Sequence, residues 1–287
     1  MIVLLLGPSG QLGSALQATK PHHVDLITRG RSEIDLVNTS AVEALVSEIS
    51  ADLIINAAAY TAVDKAEEEE ELAIRINVDG VAAIASAAEK RGARLMHIST
   101  DYVFDGMKAS PYQPDDAPAP LGVYGRTKLQ GEKEALRRCQ NSLVIRTAWL
   151  YSEQGGNFVK TMLRLMAAYP QVRVVTDQIG TPTYARSLAQ ALWALADIDR
   201  RGILHYTDSG VASWYDFACA IQEEAIGLGL LKNAVPILPI STAEYPTQAK
   251  RPFFSILDKS ETWALLGHPA NHWRSNLRVM LGEMMHA

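Results

Sequence analysis

Cysteine is nearly absent: Cys139 and Cys219 are the only two in 287 residues, and they suggest no disulfide framework. Charge of one sign does not dominate either. Lysine and arginine number 27 against 32 aspartates and glutamates, a net charge of −5. Such a chain has no general electrostatic pull on nucleic acid or an anionic membrane, and neither is expected as a partner. Long apolar runs are missing. The first, Ile2–Leu6, is far too short to span a bilayer and has no basic segment before it, so a cytoplasmic protein is expected. No internal repeat or low-complexity tract is present. What is there is 48% hydrophobic and 21% charged residues, the composition of a folded globular chain, long enough for one large domain or a large and a small one.

Short apolar runs alternate with helical patterns through the first half. Ile2–Leu6, Val24–Thr28, Leu53–Ala57, Leu95–Ser99 and Leu143–Thr147 read as strands. Ser14–Thr19, Ala41–Ser50, Glu67–Arg91 and Thr127–Cys139 read as helices between them. Strands without polar alternation are buried on both faces, so the expectation is α/β: a Rossmann-type, doubly wound parallel sheet. Later come helical patterns at Gly155–Ala168, Thr183–Ala196 and Ser213–Gly227, the last with Ser213 as N-cap. Strands are expected at Arg173–Val175 and Ile203–Tyr206, then a proline-broken stretch and a helix around Trp273–Glu283. This predicts a dinucleotide-binding domain over 1–150, with segments from about 170–205 returning to it, and a smaller, mainly substrate-binding lobe over 151–287.

Gly7-Pro8-Ser9-Gly10-Gln11-Leu12-Gly13 follows the first strand and opens a helix. Glycines let backbone approach a pyrophosphate, and a helix N-terminus offers free N–H groups and a positive dipole end. Gly7, Gly10, Gln11, Leu12 and Gly13 are therefore candidate cofactor contacts. The second strand ends not in an acid but in Thr28-Arg29-Gly30-Arg31, where Arg29 and Arg31 suit the 2′-phosphate of NADP; the alternative is two solvated arginines. Asp35 and Leu36 would lie against the adenine, and Asn56-Ala57-Ala58-Ala59 offers small residues where a flat cofactor must pass.

Tyr124 and Lys128, four apart, share a helix face, and an ammonium beside a phenol lowers its pKa. Ser99-Thr100-Asp101-Tyr102 ends the fourth strand, at the sheet edge where ligands bind. Together with the glycine turn, these features resemble the extended short-chain dehydrogenase/reductase superfamily. Asn56 through Glu67, Ser99 through Gly106, Tyr124 through Leu129, Arg146 through Tyr151, Asp177 through Thr183 and Arg251 through Asp258 resemble, more narrowly, the dTDP-4-dehydrorhamnose reductase family.

The resemblance implies reduction of the C4 ketone of dTDP-4-dehydro-6-deoxy-L-mannose to dTDP-L-rhamnose, with NADPH the favoured hydride donor and NADH the other. Tyr124 would donate a proton, Thr100 would hydrogen-bond the same oxygen, and Lys128 would hold the nicotinamide ribose and lower the Tyr124 pKa. The family pattern further implies Ala58, Ala59, Tyr60 and Asn77 at the cofactor site, with Asn77 supporting the backbone there. It places Thr100, Asp101, Tyr102, Trp149 and Arg251 at the sugar nucleotide. Some members dimerise through metal-bound glutamates; here Ala15 and Arg186 stand at those places, so no metal is expected, and monomer and homodimer both stay open. Two other functions also stay open: a sugar-nucleotide epimerase or dehydratase, and a non-catalytic NADP-binding regulatory subunit.

Several features read as bland. Glu67–Glu71 is a solvated helix start, and His268 and His272 are structural or surface residues. Met162, Leu163, Leu165 and Met166 are core, and Trp214 and Tyr215 serve packing.

Overall fold

The structure, a computed structural model, describes residues 1–285. Strand and helix alternate through β1 (Ile2–Leu6), α1 (Gln11–Ala18), β2 (Asp25–Arg29), α2 (Thr39–Glu48), β3 (Leu53–Asn56), α3 (Gly80–Arg91), β4 (Arg94–Thr100), α4 (Val123–Arg138), β5 (Ser142–Thr147), α5 (Ala185–Ala196) and β6 (Gly202–His205). The six strands form one parallel sheet in the order β6-β5-β4-β3-β1-β2. Alternate residues of each strand face opposite sides. Val3 and Leu5 join Leu12, Leu16, Leu188 and Leu192 of α1 and α5 in one core layer. Leu4 and Leu6 join Val42, Val46, Ile84 and Ala135 of α2, α3 and α4 in the other. Burial on both faces explains the unbroken apolar runs and gives the expected doubly wound architecture.

Register sets the shape of the sheet's carboxyl edge. Leu6 pairs with Arg29 and Asn56, and Asn56 with His97. β4 then runs on through Ile98 and Ser99 to Thr100, which pairs with Thr147 at the end of β5. Two strands thus overhang their neighbours and raise a wall beside the glycine turn.

The later part of the chain has its own core. Tyr151, Val159, Met162, Phe217, Trp273 and Leu277 are buried together between the helices Phe158–Ala168, Trp214–Gly227 and Trp273–Met284. Ser213 caps the second of these in a reciprocal capping box with Asp216, and His272 caps the third through Arg274 N–H.

Four differences from the sequence reading have physical causes. The long helix expected over Glu67–Arg91 is interrupted by a π-helical turn, Arg75–Asp79, which lets Asn77 reach inward. Thr183–Tyr184 is a short strand on Leu150–Tyr151, so the helix there starts at Ala185. Val172–Val175 pairs with Ile237–Ile240, an edge position that tolerates Pro239, so only α5 and β6 return to the main sheet from the 170–205 stretch. Ser260–Leu266 is an unforeseen helix that stops at left-handed Gly267.

Candidate active site

The overhanging ends of β4 and β5, the ends of β1 and β3, and the N-terminus of α1 enclose a cleft of about 630 Å³. Gly10 is the N-cap of α1 and supplies no side-chain cap, so the first N–H groups of the helix have no internal acceptor. Gly7, Gly10, Gln11 and Leu12 line the cleft there, and Arg29, Arg31, Asp35 and Leu36 line its far end. Gly13 sits one layer behind, where a Cβ would overlap the Gly7 carbonyl; its bareness brings α1 close to β1. Ala58 and Ala59 line the wall between.

Tyr60 and Asn77 are not among the lining residues. The Tyr60 N–H donates to Asn77 Oδ1 at 2.8 Å, and Asn77 Nδ2 donates to the Tyr60 carbonyl and to Thr127 Oγ1, both at 3.1 Å. Asn77 therefore ties the β3 loop to α4 from behind the wall. The Tyr60 hydroxyl turns away to Glu69. Arg251 also lies outside the lining. Asp64 takes both of its terminal nitrogens, at 3.1 and 2.7 Å, and this pair straps the Ala249–Pro252 loop to the Val63–Ala66 turn. All three side chains brace the loops around the cleft, which for Asn77 is the backbone support expected of it.

Tyr124 and Lys128 stand one turn apart on α4 and line the cleft with Thr100, Asp101 and Tyr102. Gly125 permits this approach, because a Cβ there would overlap the Tyr102 carbonyl. Thr100 Oγ1 donates to Asp101 Oδ1 at 3.0 Å and accepts from Tyr102 N–H at 3.2 Å. Burial pushes the Tyr124 phenol up to about 12, with the nearby Thr100 hydroxyl pulling the other way. Burial likewise brings the Lys128 ammonium down to about 8, opposed by Glu132, and lifts Asp101 to about 6, opposed by the nearby Ser255 and Thr100 hydroxyls. Desolvation is the dominant influence on the Tyr124 phenol in this wall and favours its protonated form.

Two buried polar atoms in this wall have no partner, Asp101 Oδ2 and Thr147 Oγ1. Buried polar groups rarely go unpaired, so both offer hydrogen bonds to a ligand. Trp149, at the mouth, is the one non-glycine with positive φ (48°) among the described residues. Its indole stacks on Trp214, ring centroids 3.5 Å apart and planes 6° apart. Trp214, read from sequence as a packing residue, is thus the backing of a cleft side chain; sixty-five residues separate the two, and no local pattern links them.

The acid run is not a freely solvated helix start. Glu67 accepts from Val123 N–H at 2.8 Å, capping α4 just before Tyr124, and Glu70 pairs with Arg126 at 2.9 Å. Glu68 accepts from Gln248. The π turn folds these carboxylates onto the positive end of α4. His97 was also missed. It is fully buried in β4, with Nε2 3.4 Å from Lys128 Nζ and Nδ1 3.1 Å from Asn56 Nδ2. A histidine between Met96 and Ile98, inside the apolar stretch of the strand, is the available signal.

Among the described residues, no three His, Cys, Asp or Glu side chains gather to hold a metal ion, and no helix is long and apolar enough to cross a membrane. Arg186 pairs with Glu283, and Ala15 is buried in the core.

Comparison with known proteins adds to this geometry. A family model described as the RmlD substrate binding domain matches residues 1–286. The dTDP-4-dehydrorhamnose reductase of Aggregatibacter actinomycetemcomitans is 40% identical over 290 residues, covering 96% of this chain and 97% of the relative. The crystal structure of a dTDP-4-dehydrorhamnose reductase from Clostridium acetobutylicum superposes with a TM-score of 0.94 at 37% identity, covering 99% of this chain and 100% of that one. The Bacillus anthracis dTDP-4-dehydrorhamnose reductase, solved in complex with NADP, superposes with a TM-score of 0.92 at 37% identity, covering 98% and 99%.

Proposed function

The chain belongs to the RmlD substrate-binding-domain family of dTDP-4-dehydrorhamnose reductases, and from that premise we propose that it reduces the C4 ketone of dTDP-4-dehydro-6-deoxy-L-mannose to dTDP-L-rhamnose, with NADPH or NADH as reductant. The observation that carries this reading is the gathering of Thr100, Tyr124 and Lys128 in one desolvated cleft that begins at the uncapped N-terminus of α1.

A nicotinamide dinucleotide fits the residues present. The free N–H groups of α1 suit its pyrophosphate, Arg29 and Arg31 a 2′-phosphate, and Asp35 and Leu36 the adenosine end. Bound there, it supplies the hydride. The protein's own residues handle the proton. Reduction needs an acid in its protonated form, and burial keeps the Tyr124 phenol so. The alkoxide arising at C4 is a stronger base than a phenolate, so transfer from Tyr124 runs downhill. Thr100 Oγ1 turns its one hydrogen from Asp101 Oδ1 to the same oxygen and donates to it. Lys128 holds the nicotinamide ribose. The unpaired Asp101 Oδ2 accepts from a sugar hydroxyl, and Trp149, backed by Trp214, covers the apolar face of the sugar. Asp101 is followed by Tyr102, not by the second acid that a dehydratase would use, which favours the reductase over that alternative. On this reading, residues 1–150 with α5 and β6 bind the cofactor, and the rest of 151–287 mainly binds the sugar nucleotide.

The test is to mix purified protein with NADPH or NADH and the enzymatically prepared ketone. Loss of nicotinamide absorbance matched mole for mole by dTDP-L-rhamnose is expected. No oxidation, in protein shown separately to bind the cofactor, would contradict the proposal.

A further inference from the structure

We propose that His97 is a positioning residue that turns its Nε2–H onto Lys128 Nζ and so disfavours the charged form of that lysine. The polarity of one hydrogen-bond chain fixes this. Ala58 N–H, in the cleft wall, can only donate, and Asn56 Oδ1 accepts it at 3.1 Å. That fixes the Asn56 amide, so its Nδ2 donates to His97 Nδ1 at 3.1 Å. Complete burial holds the His97 imidazole neutral, its pKa well below the usual histidine range, with Lys128 adding to the effect. A neutral ring whose Nδ1 accepts must carry its hydrogen on Nε2, and Nε2 faces Lys128 Nζ at 3.4 Å.

An N–H aimed at an amine lone pair is a hydrogen bond; aimed at an ammonium it is a repulsion. The Ile98 carbonyl, 2.6 Å from Nζ, accepts a hydrogen bond from either form and does not choose between them. His97 therefore disfavours the charged form, in the same direction as burial.

The titratable and charged groups around Lys128 are few. His97 and Asp101 come from β4 and its end, Tyr102 follows them, Tyr124 and Glu132 stand on its own helix, and Arg146 lies on β5. Glu132 is the one that favours the ammonium, but its carboxylate is committed to Arg146 at 2.9 and 2.7 Å and to Ser99 Oγ.

The effect of His97 on the pH profile of turnover rests on the reductase reading; the tautomer of His97 does not, and the two fail separately. Nitrogen NMR on the unliganded, ¹⁵N-histidine-labelled protein should show His97 neutral and protonated on Nε2 between about pH 6 and 9. A hydrogen on Nδ1, or a charged ring in that range, would overturn the proposal. In the assay, the basic limb of the kcat/KM profile should report Lys128. His97→Met removes the opposing N–H and should move that limb up by about one pH unit, and His97→Gln, which can again present an N–H, should bring it back towards the native position. An unmoved limb in a His97→Met protein that binds NADPH normally would mean His97 only fills space, and would overturn the proposal. The NMR measurement needs no variant, so it decides even if His97→Met does not fold.

Discussion

At one end of the cleft Thr100, Asp101 and Lys128 are 5%, 2% and 2% exposed, and burial shifts the titration of Asp101, Tyr124 and Lys128. At the other, the Arg29 side chain is 32% exposed, Arg31 lies on the surface, and Glu33 is 3.6 Å from Arg29. The same cavity thus joins a dry end, where desolvation sets which group carries a proton, to a wet end, where charge is read through water. Electrostatics at the wet end is screened by salt, while the buried end is screened much less. On the proposed function, the first end performs the chemistry and the second selects the cofactor.

The largest effect should come from the dry end. Tyr124→Phe removes the proton donor and little else, so kcat should fall by about 10²- to 10⁴-fold while NADPH titration by fluorescence gives an unchanged Kd. A weakened Kd would mean that the two ends are not separable. Next comes the wet end. Arg29→Ala with Arg31→Ala should weaken NADPH by about ten- to a hundredfold relative to NADH, the loss of one or two charge-assisted phosphate contacts; equal losses for both cofactors, measured by calorimetry, would remove the arginines from phosphate recognition. The smallest effect belongs to the cleft mouth. Trp214→Ala removes the aromatic backing of Trp149 and should raise the KM for the sugar nucleotide by about two- to tenfold, leaving cofactor affinity alone.

The two ends also differed in how well they could be read in the sequence. The glycine turn, the arginines after β2 and the Tyr124–Lys128 pair are local patterns, each set by contacts between residues a few positions apart. The sheet was legible for the same reason, since strands buried on both faces show as apolar runs, and the expected Leu143–Thr147 lies within the observed Ser142–Thr147. What stayed hidden depends on pairings across long separations. Trp149 with Trp214, Glu67 with the start of α4 and Arg251 with Asp64 are joined only by the fold. The weight of desolvation at Tyr124 is hidden in the same way, because spacing reports that a lysine is near and not how deeply the phenol is buried.

The central claim is that hydride leaves the cofactor for the sugar and does not return, and an isotope tests it most directly. NADPH carrying deuterium on both faces of nicotinamide C4 would be turned over with the ketone, and the products analysed by mass spectrometry and proton NMR. The account predicts one deuterium at C4 of dTDP-L-rhamnose for each cofactor oxidised. Sugar product free of deuterium, or a rearranged sugar formed with no net oxidation of NADPH, would contradict it.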